Sequence, residues 1–371
     1  MLSLFKVFMS KESGDEVSKT LSSGMITQSS KVEEFELRLK EWFNYPYILT
    51  LNSATSGLTL AVRMLNLNSD DEILSTALTC TATNWPILSN GLKIKWVDVN
   101  PNTCNMNLDD LKNKITSKTK AVVFVHWGGS PIDLNKLKEI QDYTLKKFGF
   151  KLQVIEDCAH AFGAEYYGKK IGTHGNTCVF SLQAIKHLTT GDGGLIFLPD
   201  KKSYDRAKLL RWFGIDRNKR SGGKDFRMEN DVKEWGYKFH MNDINATIGL
   251  CNLPYIEKNL ERIRYNAKFY DNKLKNIKGV KLLKNTEKSL SAYWLYTIKI
   301  ESKYDFINFM KEKNVMVSQV HNRNDLHSCV KEYKCNLPIL DELEKEIICL
   351  PCGWWITDGD LEYIVNCIKE F

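Results

Sequence analysis

Hydroxyl side chains cluster in the segment NSATSGL (52–58), directly before a stretch with helical periodicity over Leu58–Met64. Hydroxyls and free backbone N–H groups at a helix start attract anions such as phosphate. Thr55 and Ser56 are therefore candidate phosphate ligands. The same segment also fits a simple N-cap formed by Ser53 or Thr55, without any ligand. Taken alone, it favours the cap.

A short apolar run at 152–155 predicts a buried strand that ends in two carboxylates, within the sequence VIEDCAH (154–160). A carboxylate at a buried strand end needs a partner. For Asp157 the partner is either a basic side chain in a salt bridge or a protonated ring nitrogen of a ligand. His160 follows three residues after Asp157 and adds a second titratable group.

Lys186 lies in the segment SLQAIKHLTTGDGG (181–194), between Ile185 and Leu188 and ahead of a glycine turn. The apolar neighbours predict partial burial, which makes a lysine amine lose its proton more easily. An uncharged amine forms a Schiff base with an aldehyde. By itself, a lysine beside such a turn is more often a surface residue.

The combination is more specific than its parts. Pyridoxal 5′-phosphate (PLP) needs a phosphate cradle, an acid opposite its pyridinium nitrogen and a lysine for its aldehyde. The chain offers these in the order hydroxyl cluster, Asp157 and Lys186, with a step of 29 positions (186 − 157 = 29) from the acid to the lysine. The sequence therefore predicts a PLP pocket with Lys186 as its catalytic lysine.

Strand-like and helical patterns alternate between about residues 30 and 250. Strands are predicted at Ala121–Val125 and 152–155, and helices at Leu108–Ile115 and Leu134–Phe148. This alternation is typical of an α/β fold with a mostly parallel sheet between helices. Ligands bind such a sheet beyond the carboxyl ends of its strands, where the polar segments fall.

The pattern changes after residue 250. A long polar helix is predicted at Ile256–Leu274, followed by strands at Val280–Leu283 and Leu295–Ile300 and by two further helices. We therefore expect a large PLP-binding domain at 1–250 and a smaller C-terminal α+β domain at 251–371. No Gly/Ser-rich or Pro-rich linker separates them.

Composition excludes several classes of protein. With 371 residues, 43% hydrophobic and 26% charged, the chain is typical of a globular protein and not of a disordered or collagen-like one. The net charge of +7 comes from scattered residues, without the basic block of a nucleic-acid-binding segment. No apolar run is long enough for a membrane helix.

The cysteines point to a reducing compartment. Ten are spread over the chain, and their one close pair, Cys349-Leu-Pro-Cys352, has no second pair or nearby histidines. We expect free thiols, no metal site and a cytoplasmic location.

Several motifs together resemble the DegT/StrS nucleotide-sugar aminotransferases, which have the aspartate-aminotransferase fold. The motifs span nearly the whole chain and are GMITQ (24–28), NSATSGL (52–58), VHWGG (125–129), EDCAHAFGA (156–164), SLQAIKHLTTGDGG (181–194), GYKFHMNDINATIGL (236–250) and YWLY (293–296). The resemblance implies a fold-type I PLP transferase whose large domain has a seven-stranded sheet. It also implies a homodimer whose active sites draw on both subunits.

Carried over by position, the resemblance implies a role for each candidate residue. Lys186 holds the cofactor as a Schiff base and moves the proton, while Asp157 pairs with the pyridinium nitrogen. His160 lies near the cofactor ring or its 3-hydroxyl. Ser181, with Thr55 and Ser56, holds the phosphate.

Two positions depart from the family pattern. Cys80, in the run Thr79-Cys80-Thr81-Ala82, stands where the family commonly has an aromatic residue that stacks on the ring. Lys238 replaces an asparagine that usually reaches the phosphate across the dimer interface. Both remain candidate cofactor-binding residues, and both leave substrate details open.

The resemblance implies transfer of an amino group from an amino acid, glutamate in most of the family, to a keto group of a nucleotide-linked deoxysugar for glycan biosynthesis. Three alternatives stay open: a small phosphorylated ketone as acceptor, sugar dehydration, and a non-catalytic binding protein. Dehydratase relatives carry histidine in place of the lysine, and a silent homologue has little reason to keep all three cofactor elements. The sugar, its nucleotide and the aminated carbon depend on loops around Trp127, 213–235 and Arg323.

Overall fold

The computed structural model describes residues 1–217 and 231–371. The α-helices of these ranges are α1 Ser13–Ser22, α2 Ser30–Phe43, α3 Ala54–Met64, α4 Thr81–Ser89, α5 Leu108–Lys114, α6 Leu134–Phe148, α7 Lys201–Leu210, α8 Asp243–Asn252, α9 Ile256–Leu274, α10 Lys303–Glu312, α11 Pro338–Leu343 and α12 Asp358–Glu370. The strands are β1 Ile48–Leu51, β2 Glu72–Thr76, β3 Lys93–Val97, β4 Thr119–Val125, β5 Gln153–Asp157, β6 Glu165–Tyr166, β7 Lys169–Lys170, β8 Thr177–Ser181, β9 Gly194–Phe197, β10 Val280–Leu282, β11 Ser289–Leu290, β12 Tyr296–Ile300 and β13 Ile347–Leu350.

A seven-stranded sheet in the order β1-β9-β8-β5-β4-β2-β3 forms the centre of the molecule. The strands from β8 to β3 run parallel, and β9 runs antiparallel to both of its neighbours. Central strands such as β4 are buried on both faces, because helices cover both sides of the sheet. The predicted mostly parallel sheet between helices is confirmed.

The second half of the chain adds a three-stranded antiparallel sheet in the order β10-β12-β13. A separate buried cluster packs this sheet against α9, α10 and α12. Among the contacts that tie the two halves of the chain together, Leu2 bridges to Val315, β11 pairs with β6, and the N–H of Leu295 donates to the carbonyl of Gly128. A division at residues 250 and 251, which falls within α8, remains our proposal for the domain boundary.

The carboxyl ends of three strands of the seven-stranded sheet deliver the residues singled out in the sequence. β5 ends at Asp157 and β8 ends at Ser181, while β1 is followed by Ser53, the N-cap of α3. None of the helices in the described ranges combines the length and apolarity that crossing a bilayer requires.

A buried ion pair anchors β1, the strand that leads to the cap of α3 at Ser53. Glu36 of α2 accepts hydrogen bonds from the backbone N–H and hydroxyl of Thr50 and from Nη1 of Arg211 at 2.6 Å. Arg211 also donates to the carbonyl of Thr50. Although burial opposes ionisation of Glu36, the Arg211 guanidinium and the Thr50 hydrogen bonds lower the pKa of this carboxyl below its usual value.

We expect Arg211→Met to destabilise the protein by about 3–5 kcal/mol, because it leaves the buried carboxylate of Glu36 without its cation. Arg38→Met is the matched control, since Arg38 pairs with Glu41 at the surface and such pairs contribute less than about 1 kcal/mol. Urea unfolding of the two variants measures the difference. Equal destabilisation would show that the buried pair does not anchor β1.

Candidate active site

A cavity of about 420 Å³ opens at the carboxyl ends of β1, β5 and β8. Six residues predicted from the sequence meet on its wall: Thr55, Cys80, Asp157, His160, Ser181 and Lys186. Its volume falls within the usual range of small-molecule sites, about 300–1,000 Å³. Residues up to 131 positions apart (186 − 55) are thus brought together by the sheet.

Asp157 is buried at the end of β5. Its Oδ2 accepts a hydrogen bond from the hydroxyl of Thr83 at 2.7 Å, and its Oδ1 accepts one from the N–H of Ala159 at 3.0 Å. Burial raises the pKa of Asp157 despite these two donors. No basic side chain of the described ranges forms a salt bridge with it, so the carboxylate stands ready for a cationic group of a ligand.

Lys186 faces the same cavity and is half-buried. Burial lowers the pKa of its amine to about 7, although the charge of Asp157 acts in the opposite direction. Its Nζ lies 3.3 Å from the ring centroid of Trp294. A large fraction of this amine is therefore uncharged at neutral pH, which is the nucleophilic form.

His160 packs between other rings. Its imidazole stacks on Trp294 at 4.0 Å between centroids, with 20° between the ring planes. Burial and the neighbouring Lys186 hold the pKa of His160 well below its ordinary value, so the ring is neutral. Its Nδ1 is buried and has no hydrogen-bond partner among the described residues. A buried ring nitrogen in this state is expected to bond to a ligand.

The side chains of the hydroxyl cluster cap helix α3 and also line the cavity. Ser53 caps α3 by accepting from the N–H of Ser56 at 3.0 Å, and the hydroxyls of Ser53 and Ser56 bond to each other. Ser53 and Thr55 line the cavity, whereas Ser56 does not. The cap expected as an alternative is thus present, and Ser53, which was not proposed as a ligand, joins Thr55 and Ser181 on the wall.

Gly194 allows this turn to approach β9. A Cβ at position 194 would lie 2.5 Å from the backbone nitrogen of Ala54 and 2.6 Å from the carbonyl oxygen of Ser53. The preceding Gly193 lines the cavity itself. The glycine turn noted in the sequence therefore lets the start of α3 reach the site.

Trp294 supplies an aromatic ring that Cys80 cannot. Its indole N–H donates to the carbonyl of Ile185 at 2.9 Å, next to Lys186, and the ring of Phe5 stacks on it with 5.0 Å between centroids. Both rings line the cavity. Trp294 belongs to the YWLY motif, which carried no assigned role, and the N-terminal segment that holds Phe5 has no motif at all.

Lys238 does not line this cavity. Its side chain is exposed, and its backbone forms a bridge with Trp212 and accepts a hydrogen bond from Asn52. The expected contact with a partner subunit's phosphate site stays a prediction.

Arg323 and Trp127, which were expected to mark substrate-selecting loops, do not line this cavity. Arg323 is not on the cavity wall, because it is buried in ion pairs with Asp325, Asp341 and Glu344. Trp127 is also buried and donates its indole N–H to Thr297. Of the interval 213–235, residues 218–230 lie outside the described ranges.

A buried pair supports β5 behind Asp157. His126 accepts the N–H of Ile132 at Nδ1, so its Nε2 donates to Glu156 at 2.8 Å. The other oxygen of Glu156 accepts from Asn176. The ligand atoms of His126, Glu156 and Cys158 lie within 4.8 Å of one another, but the hydrogen bonds of the pair account for their arrangement.

Comparison with known proteins places the chain in a family. Residues 8–369 match the DegT/DnrJ/EryC1/StrS aminotransferase family, and the chain belongs to it. GDP-perosamine synthase of Escherichia coli O157:H7 is 29% identical over 94% of this chain and 92% of its own length. The predicted family and aminotransferase class are confirmed.

Solved structures agree over the full chain. AtS13 from Actinomadura melliaura matches with a TM-score of 0.97 and 44% identity, over 100% of this chain and 99% of that one. The sugar aminotransferase CalS13 from Micromonospora echinospora matches with 0.96 and 42%, over 100% of both chains. Spr1654 of Streptococcus pneumoniae, solved in a PLP-form, matches with 0.89 and 26%, over 99% and 97%. The predicted fold class is confirmed.

We expect Gly194→Ala to weaken PLP binding by about tenfold or more, because the added methyl group displaces the backbone of Ser53 and Ala54. Titration of the apoprotein with PLP, followed by absorbance, measures the affinity. Gly14→Ala is the control, since a Cβ there meets nothing within 4 Å. Unchanged affinity in Gly194→Ala would remove this turn from the binding site.

The rate of PLP capture by the apoprotein should rise with pH and reach half of its maximum near pH 7, because the amine of Lys186 reacts only when neutral. Stopped-flow absorbance measures this rate, with Nα-acetyl-lysine, whose pKa is about 10.4, as the reference amine. Asp157→Asn should move the midpoint to lower pH, since it removes a negative charge that favours the ammonium form. A midpoint equal to that of the reference amine would contradict the buried state of Lys186.

Proposed function

We propose that the protein is a PLP-dependent aminotransferase that moves an amino group from L-glutamate to a keto group of a nucleotide-linked deoxysugar in glycan biosynthesis. The observation that carries this proposal is the cavity whose wall holds both a half-buried lysine with a pKa of about 7 and a buried carboxylate that forms no salt bridge among the described residues. PLP as the cofactor is supported by the family and by the PLP-form of the pneumococcal relative.

The residues present fit this cofactor. The carboxylate of Asp157 and the cradle made possible by Gly194 are groups that a phosphorylated pyridinium ring requires, and the unpartnered Nδ1 of His160 lies beside them. Lys186 would hold its aldehyde carbon, and Ser53, Thr55 and Ser181 would hold its phosphate. When bound, PLP supplies a carbon that accepts an amino group and a ring that withdraws electrons.

Lys186 and Asp157 would then have different roles in proton transfer. Lys186 takes and returns a proton at Nζ, and a pKa near 7 makes both directions accessible at neutral pH. Asp157 holds a proton on the ring nitrogen through its negative charge, with Thr83 and Ala159 fixing the orientation of its carboxylate. The rings of Trp294 and Phe5 form an apolar part of the wall beside Lys186.

The keto-sugar acceptor is supported by the relatives. A GDP-perosamine synthase and a structure described as a sugar aminotransferase match nearly the whole chain. Lys186 on the cavity wall supports amino transfer over dehydration, the reaction in which family members carry histidine instead of this lysine. L-Glutamate as the donor rests on the family resemblance.

We further propose a homodimer in which Lys238 approaches the partner subunit's cavity. Trp235 and Phe213, near Lys238, are 61% and 42% exposed, which is unusual for large aromatic side chains and typical of an interaction surface. Sedimentation analysis tests the assembly, and a monomer with full activity would overturn it. A cytoplasmic location is supported by the ten free thiols.

The purified protein with PLP should show a violet absorption band, which L-glutamate shifts to the near ultraviolet and which Lys186→Ala does not form. The band reports covalent attachment of the cofactor to Lys186, and its loss with glutamate reports the first half of the transfer. Lys202→Ala, on exposed α7, is the matched control and should behave as the wild type. A protein that stays colourless would overturn the enzymatic assignment, and a band unmoved by glutamate would overturn the donor.

A further inference from the structure

A tight turn brings two residues of the C-terminal half onto the cavity wall. The N–H of His321 donates to the carbonyl of Gln319 at 3.0 Å, which closes a γ-turn around Val320. Val320 has a φ of 74°, a region that β-branched residues rarely adopt. Val320 and His321 both line the cavity. Strain of this kind persists where the surrounding structure enforces it, and it concentrates at ligand sites.

Side chains beneath the turn enforce it. The hydroxyl of Ser318 accepts from the N–H of Val320 at 3.0 Å, and Nε2 of Gln319 donates to the carbonyl of His321 at 3.1 Å. The amine of Lys303, which is 4% exposed, donates to Oε1 of Gln319 at 2.6 Å and to the carbonyl of Glu344. Burying a lysine carries a free-energy cost unless its amine is hydrogen-bonded, and here one of its two hydrogen bonds fixes the side chain of Gln319 in the turn.

The turn places the imidazole of His321 on the cavity wall. Nε2 of His321 is buried and bonds to no group in the described part of the chain. The ring lies parallel to His160, with centroids 5.6 Å apart and 4° between planes, and its edge meets Trp127. Burial and the charge of Lys186 lower the pKa of His321 to about 4, so the imidazole is neutral at pH 7.

We propose that His321 is a further substrate-binding residue, whose Nε2 forms a hydrogen bond with a hydroxyl group of the keto-sugar, and that Lys303 and Gln319 are positioning residues for it. A neutral imidazole suits a hydroxyl, which both donates and accepts, whereas the carboxylates of an amino donor bind more strongly to cationic partners. This inference rests on the proposed function, and it separates recognition of the sugar from recognition of the amino donor.

The two half-reactions test this separation. Consumption of L-glutamate by the PLP-loaded protein is followed by absorbance. Discharge of the amino-loaded protein is then measured with GDP-, dTDP- and UDP-linked 4-keto-6-deoxyhexoses. For His321→Phe we expect the glutamate half-reaction to stay within about threefold of wild type, and kcat/KM for the keto-sugar to fall about 30-fold, because one hydrogen bond to the substrate is lost.

Two further variants distinguish the loss of a hydrogen bond to the substrate from the loss of side-chain packing around His321. His321→Gln keeps a nitrogen near Nε2 and should recover most of the loss, while Gln319→Ala should reproduce a smaller, equally selective loss of about fivefold. The matched control is His174→Phe, the same substitution at a histidine outside the cavity, which should leave both half-reactions unchanged. Thermal unfolding checks that each variant is folded. If His321→Phe is not folded, the two half-reactions of His321→Gln and Gln319→Ala test the role of His321.

Equal losses in both half-reactions, or full keto-sugar activity in folded variants, would overturn the role of His321. If the wild type reacts with glutamate but with none of the sugar nucleotides, the acceptor assignment and this inference both fall. If the wild type fails to react with glutamate while the keto-sugars discharge a chemically amino-loaded protein, the donor assignment falls and the role of His321 is still decided by the second half-reaction.

Discussion

Desolvation of Lys186 and Asp157 in one cavity is the constraint on which the rest of the site depends. Burial drives the lysine towards its neutral form and the aspartate towards its protonated form, so each group is held away from its preferred state in water. A ligand that brings an aldehyde and a protonated ring nitrogen satisfies both at once. The strand ends and helix starts around the cavity are arranged to maintain this condition.

Aromatic rings from distant parts of the chain lie together on the cavity wall. The planes of Phe5 and Trp294, of Trp294 and His160, and of His160 and His321 are nearly parallel, and Trp294 also bonds to the carbonyl of Ile185 beside Lys186. Cys80 lies on the same wall without a ring of its own, so the aromatic surface of this cavity comes from Trp294 and Phe5.

Sequence reasoning found Asp157, Lys186 and the start of α3 because their signals are local: an apolar run that ends in a carboxylate, a lysine before a glycine turn, and hydroxyls before a helix. The main elements were likewise predictable from periodicity, and α6 and α9 fall where the pattern placed them. Trp294, Phe5 and His321 were not found, because their roles depend on contacts across more than 100 residues (294 − 185 = 109 for Trp294 and Ile185). Sequence alone did not show that Ser53 both caps α3 and lines the cavity, and the phosphate-binding role of Ser56 stays a prediction.

The cavity thus has two walls of different origin. The central sheet places Asp157 at the end of β5, and the connection between β8 and β9 places Lys186, so the positions of both depend on the fold of this sheet. The other wall comes from the C-terminal half, where a strained turn held by Lys303 sets the position of His321. The backbone of Ser318 joins this turn to β13, but Val320 and His321 lie outside the strands, so these two residues can vary while Lys186 and Asp157 stay fixed. Such a division lets one reaction be kept while the acceptor changes, which is the pattern expected of a family that acts on different sugars.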